Sequence, residues 1–459
     1  MRYLSTRGSC PPVGFDGALI GGLAPDGGLY VPEEWPAIDV HPSVERYTDV
    51  AVDVFAPYVS PGIARDELRA IVEEAYATFD HPDVCPVRPL DDAGLHLLEL
   101  FHGPTLAFKD VALQLLGRLM DRELARRDER ATVLVATSGD TGSAAIEACR
   151  GRERLDIVVL HPAGRVSDVQ RRQMTTVDEP NVRNVAVDGD FDACQDLVKA
   201  TFADAPLRDA LRLSAMNSIN WARVMAQVVY YVTSAAAVAP DGPVSFSVPT
   251  GNFGNVLAGW VAKQGGLDVD RFVVGSNRND ILARWIDTGV MQVDGVEPSL
   301  SPSMDIQVSS NVERYLWELY GRNGSTVAET MATFRATGRF DIGEARHQRV
   351  RSGFSGVRVD DEATLAEIRR VHEADGLLVD PHTAVGIAAA RAVPMDPDIP
   401  RIVLATAHPA KFPDAVESAT GVRPVLPDHL ADLFDRDEHV VPLANDPAVL
   451  ADYLRAELL

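Results

Sequence analysis

The stretch Thr132-Val133-Leu134-Val135-Ala136-Thr137-Ser138-Gly139-Asp140-Thr141-Gly142-Ser143-Ala144-Ala145-Ile146-Glu147-Ala148-Cys149-Arg150 decides the fold class. An apolar, β-rich run over 132–136 meets a short loop of turn residues, and a helical pattern follows over 143–150. The same order recurs along the chain. Strands are expected over 95–100, 157–161, 185–187, 244–248, 272–275 and 402–405. Helices are expected over 109–126, 192–203, 221–239 and 256–263. Strands alternating with helices predict an α/β fold with largely parallel sheets. Ligands in such folds bind beyond the carboxyl ends of the strands.

Residues 1 to about 80 differ. Gly14–Pro32 is crowded with glycine and turn residues, 29–31 reads as a short strand, and two helical patterns cover Ser43–Pro57 and Ile63–Phe79. The proline-bearing stretch His81–Pro86 reads as a linker. The expected units are 1–84, then 85–112 with 225–430, then 113–224, and an acidic helical tail over 431–459.

With 459 residues, 46% hydrophobic and 24% charged, the chain is long enough for several folded domains. Lys plus Arg number 43 against 67 Asp plus Glu, a net charge of −24. That field argues against nucleic acid and anionic membrane surfaces as partners. Anionic small molecules then require local cationic or backbone N–H sites. The four cysteines, Cys10, Cys85, Cys149 and Cys194, form no C-x-x-C pair, so neither a disulfide framework nor a zinc site is expected. The start lacks an apolar signal region, and Val224–Ala239 reads as a buried helix rather than a membrane span. A cytoplasmic protein without a metal is expected.

Four loops carry chemistry. Phe101–Asp110 places Lys109 behind Leu106, Ala107 and Phe108, an apolar setting that disfavours the ammonium and exposes a nucleophilic amine. A surface lysine at a helix start is the plainer alternative. Gly251-Asn252-Phe253-Gly254-Asn255, between strand and helix, suits a backbone phosphate cradle or simply a tight turn. Ser138-Gly139-Asp140-Thr141-Gly142, preceded by Thr137, repeats that logic with three hydroxyls, and also suits an N-cap. Thr406, after the strand over 401–405, offers a neutral hydroxyl to a heteroaromatic nitrogen. An amine, two anion loops and a neutral hydroxyl together match the needs of pyridoxal phosphate.

Phe101–Asp110 (FHGPTLAFKD), Ser138–Gly142 (SGDTG), Asn217–Arg223 (NSINWAR), Pro249–Asn255 (PTGNFGN), Ser301–Ile306 (SPSMDI) and Leu404–Lys411 (LATAHPAK) resemble the threonine synthase family. The opening, Tyr3–Gly8 and Gly22–Pro32, is similar to that family's N-terminal domain, and the resemblance fades in the last 30 or so residues. It implies a fold-type II pyridoxal-phosphate enzyme, akin to tryptophan synthase β, with two open α/β domains and a separate N-terminal α+β domain. By resemblance, the Schiff-base lysine falls on Lys109, the phosphate loop on Gly251, Asn252, Phe253, Gly254 and Asn255, and the pyridine-facing hydroxyl on Thr406. Ser138, Gly139, Asp140, Thr141 and Gly142 then face the substrate. The implied reaction turns O-phospho-L-homoserine and water into L-threonine and phosphate. Arg223 and Lys411 are candidates for the substrate phosphate, with surface ion pairs as the alternative. His102 is read either as a cofactor contact or as a structural histidine. A phospholyase ending at a 2-oxo acid and a non-catalytic ligand-binding protein are the competing readings. Monomer and homodimer both stay open.

Overall fold

A computed structural model describes residues 1–38, 46–90, 94–394 and 396–459. Its larger sheet orders six strands as Phe354–Arg358, Val269–Ser276, Val244–Pro249, Arg401–Ala405, Leu95–Glu99 and Val87–Pro89. The first five run parallel, and Val87–Pro89 closes one edge antiparallel. The smaller sheet has five parallel strands in the order Val441–Leu443, Val182–Val187, Leu155–Pro162, Ala131–Ala136 and Leu213–Ser214. This is the α/β fold of two parallel units that the sequence pattern predicts.

Helices cover both faces of each sheet, which is why the central strands carry unbroken apolar runs. Every residue of Val244–Pro249 is buried. In Leu155–Pro162 the two-residue period sorts the side chains: Ile157 and Val159 join the main core, whereas Val158 and Leu160 join a second one. Helices Lys109–Arg127 and Trp221–Val238 pack against each other between the sheets and are buried along most of their length. The expected unit boundaries at 112 and 224 therefore fall inside helices. Among the described residues no helix is long and apolar enough to cross a membrane.

The N-terminal unit pairs Tyr3–Ser5 with Tyr30–Pro32 antiparallel and adds helices Phe15–Gly21, Tyr47–Val59 and Arg65–Tyr76. Ser43, the expected start of the second of these, lies outside the described residues. The unit shares the main core rather than keeping its own. Tyr58 meets Trp221 of the interior helix at 5.7 Å between ring centroids.

Two differences from the sequence pattern matter for the site. The helix expected from 143 begins at Asp140, and the one expected from 256 begins at Gly254. The ends of both loops are thus first helical turns, whose N–H groups lack intrahelical partners. The tail over 431–459 is also more than a helix. Val441–Leu443 is an edge strand beside Val182–Val187, and helix Pro447–Leu458 sends Leu450 and Leu454 into the second core. A short β-rich run with its proline at a sheet edge permits this.

Leu454 is fully buried. Leu454→Ala is expected to cost about 2–5 kcal/mol, the range for emptying a buried leucine site. Urea unfolding followed by circular dichroism measures it, and a loss under about 0.5 kcal/mol, the scatter of surface changes, refutes a core role for the tail.

Candidate active site

The loops at the carboxyl ends of the large sheet are joined to one another. Leu100 N donates to Ala405 O at 2.9 Å, Phe108 N to Thr406 O at 2.9 Å and His408 N to Leu106 O at 3.0 Å. Leu106 is held at φ +62°, a left-handed conformation costing a leucine roughly 1–2 kcal/mol. The turn delivers Lys109 to the start of its helix, where only 8% of the residue is exposed. Asp110 ties the turn together, accepting from Thr105 N at 2.8 Å and Thr105 Oγ1 at 2.7 Å. Burial raises its carboxyl to about 6.

Lys109 Nζ donates to Asp140 Oδ2 at 3.1 Å and to Ser303 Oγ at 3.5 Å. Asp140 Oδ1 accepts from Gln170 Nε2 at 2.7 Å and lies 3.0 Å from Lys411 Nζ. Burial pushes the Lys109 ammonium below its ordinary value. The neighbouring cations Lys411 and Arg223 add to this, and together they outweigh Asp140, which acts the other way. Burial alone would raise Asp140, but Lys109 and Lys411 hold it well below the usual carboxylate range.

The loop before Asp140 is fixed from inside. Thr137 Oγ1 accepts from Gly139 N at 3.0 Å and Gly142 N at 2.9 Å. Its hydroxyl is spent on the backbone and is not one of three facing a ligand. Gly139 adopts φ +148°, and a Cβ there would lie 2.5 Å from Gln170 Cδ. Ser138 is exposed and Thr141 half-buried at the helix start.

Residues 251–255 fit a phosphate. Phe253, at φ +61°, caps helix Gly254–Gln264. The backbone N–H groups of 251–255 find no acceptor among the described residues. A Cβ on Gly251 would lie 3.0 Å from Ile306 and 3.1 Å from the Met304 backbone. Asn255 Oδ1 accepts from Tyr230 Oη at 2.6 Å and Tyr231 Oη at 2.9 Å, while its buried Nδ2 has no partner. Arg223 is buried too, with no carboxylate partner among the described residues and an unpartnered Nε, and burial lowers it to about 10. A helix start with N–H groups that lack acceptors suits a phosphate at 251–255, and the unpaired guanidinium of Arg223, close enough to Lys109 to lower its pKa, suits an anion on that side. The Thr406 hydroxyl has no protein partner among the described residues, although the residue is buried.

Three models of known families cover the chain: "Threonine synthase N terminus" over residues 2–76, "Pyridoxal-phosphate dependent enzyme" over 86–341, and "Threonine synthase, C-terminal" over 383–454. A threonine synthase of Pseudomonas aeruginosa is 50% identical over 98% of this chain and 97% of its own length. The chain belongs to the threonine synthase family. The crystal structure of pyridoxal-phosphate-bound threonine synthase from Brucella melitensis matches with a TM-score of 0.97 at 49% identity, covering 100% of this chain and 99% of that one. The yeast threonine synthase structure matches at 0.95 and 37%, covering 100% and 98%. The chain is a pyridoxal-phosphate-dependent enzyme, a lyase of threonine biosynthesis.

Within this threonine synthase scaffold some expected roles change. Lys411 is fully buried, and its ammonium reaches Thr105 O at 2.6 Å, Gln173 Oε1 at 3.0 Å and Asp140 Oδ1 at 3.0 Å. All three donors are engaged, so it offers no free cation to a substrate phosphate. Ser303 enters the sequence reading only within the Ser301–Ile306 motif, without a role of its own, and Gln170, Gln173 and His382 do not enter it. His382 Nδ1 lies 2.6 Å from Asp380 Oδ2, and its Nε2 accepts from Ser303 N at 3.2 Å. An Asp-Pro helix start at 380–381 was the available signal.

His102 is a structural histidine here. Its Nδ1 lies 3.0 Å from Asp80 Oδ1 and its Nε2 2.9 Å from Glu99 Oε2. Burial lowers its pKa, but the two carboxylates outweigh that and raise it. Stability from a raised histidine is fully present below its unfolded value of about 6.5 and is lost as pH rises through the folded value. His102→Gln should therefore show its largest stability deficit near about pH 6 and a smaller one above about pH 8. Guanidinium titrations of both proteins at the two pH values check this, and a deficit that grows with pH contradicts it.

Proposed function

We propose that this chain converts O-phospho-L-homoserine and water to L-threonine and phosphate, with Lys109 both holding the cofactor and moving protons. The observation that carries the proposal is the Lys109 amine, buried, below its ordinary pKa, and held 3.1 Å from Asp140. Bound pyridoxal phosphate supplies an electron sink that stabilises carbanion character on the substrate. The loop over 251–255 and Arg223 hold anions, and Thr406 offers the ring nitrogen an uncharged hydroxyl.

Lys109 would hold the cofactor at rest and, when free, would take the proton from the substrate's Cα. A second proton leaves Cβ, phosphate leaves Cγ, and Cγ gains a proton. Water then adds at Cβ, and Lys109 returns a proton to Cα. One amine serving Cα in both directions is the most economical assignment. Ser138, Gly139, Asp140, Thr141 and Gly142 line the substrate side, where the helix start at Asp140 favours an anionic group. Lys411 acts through Asp140 as its counter-charge. A cytoplasmic setting belongs to the same proposal and suits four free thiols.

Lys109→Ala is expected to abolish threonine formation in a chain that still folds, with a lowered unfolding midpoint because Asp140 loses one of its two cations. Product analysis after incubation with O-phosphohomoserine decides the reaction: threonine supports the proposal, 2-oxobutyrate as the main product replaces it with a phospholyase. The two anion loops should separate by function. Gly251→Val places a side chain against Ile306 and Met304 and should weaken cofactor retention, with excess pyridoxal phosphate partly restoring activity. Thr141→Val should leave the cofactor's visible absorbance intact and lower kcat/KM about ten- to hundredfold, the value of one hydrogen bond to a charged group. If Thr141→Val sheds cofactor while Gly251→Val retains it, the assignments are reversed.

A further inference from the structure

We propose that Arg314 is a positioning residue through which the N-terminal unit braces the cofactor-phosphate loop, an inference that rests on the reading of residues 251–255 given above. Arg314 lies in helix Val312–Leu319 and is 1% exposed. Its Nε donates to Tyr30 O at 2.9 Å, its Nη1 to Asn311 Oδ1 and its Nη2 to Ile219 O. One rigid fork therefore fixes three segments: the N-terminal ribbon, the Asn217–Arg223 motif and the start of its own helix. No carboxylate neutralises it among the described residues. The adjacent Glu313 is taken by Arg7 Nε and Nη2, each at 3.0 Å, and by Thr6 Oγ1 at 2.7 Å. Those partners belong to the N-terminal unit as well, so two consecutive residues clamp it to this helix.

The start of the same helix holds the phosphate loop from behind. Asn311 N donates to Asn252 O at 3.2 Å, Asn311 Nδ2 to Ser218 O at 3.1 Å, and Ser309 Oγ to Gly251 O at 2.6 Å. In a trans peptide the carbonyl and the following N–H point in opposite directions. Pulling the Gly251 and Asn252 carbonyls back toward 309–311 turns the Asn252 and Phe253 N–H groups the other way, into the cradle. Arg314 orients Asn311 and, through Ile219, the loop that leads to Arg223. Replacing it leaves two backbone carbonyls and an amide oxygen in the interior without their donor, which favours rearrangement of all three.

The test uses purified holoenzyme. The dissociation constant of pyridoxal phosphate is measured by dialysis and visible absorbance, alongside the thermal midpoint. Arg314→Met is expected to weaken cofactor affinity at least about tenfold, the scale of losing a supporting hydrogen-bond shell. Arg314→Lys should fall between, since an ammonium cannot reproduce the fork. Saturating cofactor should restore kcat with the KM for O-phosphohomoserine within about twofold, because the lost function is cofactor placement. Arg322→Ala is the comparison. Its guanidinium joins the same two units through Glu33 O and Glu318, away from the loop, so it should lower the midpoint but leave cofactor affinity unchanged. Wild-type cofactor affinity in Arg314→Met overturns the brace, whatever happens to its midpoint. If Arg314→Met does not fold, Arg314→Lys decides by the same measurement. Gly251→Val separates the two ideas: unchanged affinity there overturns the reading of the loop itself, whereas weakened affinity there with normal Arg314 variants overturns the brace alone.

Discussion

The site depends on one buried carboxylate. Asp140 comes from the first helical turn after the small sheet, and its two oxygens reach Lys109 and Lys411, which follow strands of the large sheet. Taking three ions out of water costs several kcal/mol each, and removing one partner of such a group typically costs about 3–5 kcal/mol. Gln170 Nε2, at 2.7 Å, and Ser303 Oγ, at 3.3 Å, supply the extra hydrogen bonds that make the arrangement tolerable. None of the three ions can be dropped alone. This fixes the small-sheet half on the large-sheet half at the point where the chemistry is proposed to occur. It also keeps the Lys109 amine in place without keeping it firmly charged, since burial and two nearby cations outweigh the single carboxylate.

A net charge of −24 repels anionic ligands at a distance. The site answers with potential that acts only nearby. Screening confines surface charge to roughly 8–10 Å in physiological salt, whereas buried groups are screened much less. The positive elements here are buried: helix starts at Lys109, Asp140 and Gly254, and the guanidinium of Arg223, which has no carboxylate partner among the described residues. The segment over 301–306 ties them into one place, with Met304 against Gly251 and Ser303 against Lys109.

Local surroundings are legible in the sequence, and long-range partnership is not. The burial of Lys109 and the two strand–loop–helix turns at 137–142 and 249–255 each follow from residues within about ten positions. Alternation of strands and helices predicted both parallel sheets. Lys411 reads as a free cation because a sequence displays a charge and hides its partners: Thr105, Asp140 and Gln173 lie hundreds of residues earlier. Thr137 reads as a ligand hydroxyl because nothing in its neighbours says that the backbone has claimed it. The tail strand was missed because three residues at a sheet edge give too short a pattern for periodicity to register.

Arg223 and the loop over 251–255 are separate in sequence but not independent in space. Ser218 O and Ile219 O, at the approach to Arg223, are held by Asn311 and Arg314. Asn252 O is held by the same Asn311. The guanidinium and the N–H groups, which have no carboxylate partner and no acceptor among the described residues, therefore hang from one support. A shift of that support would displace the loop and the approach to Arg223 at once. Anion sites built from side chains on mobile loops lose one contact at a time. Under the proposed brace this site keeps its contacts or loses them together, and the packing of helix Val312–Leu319 against the N-terminal unit becomes part of the proposed binding geometry.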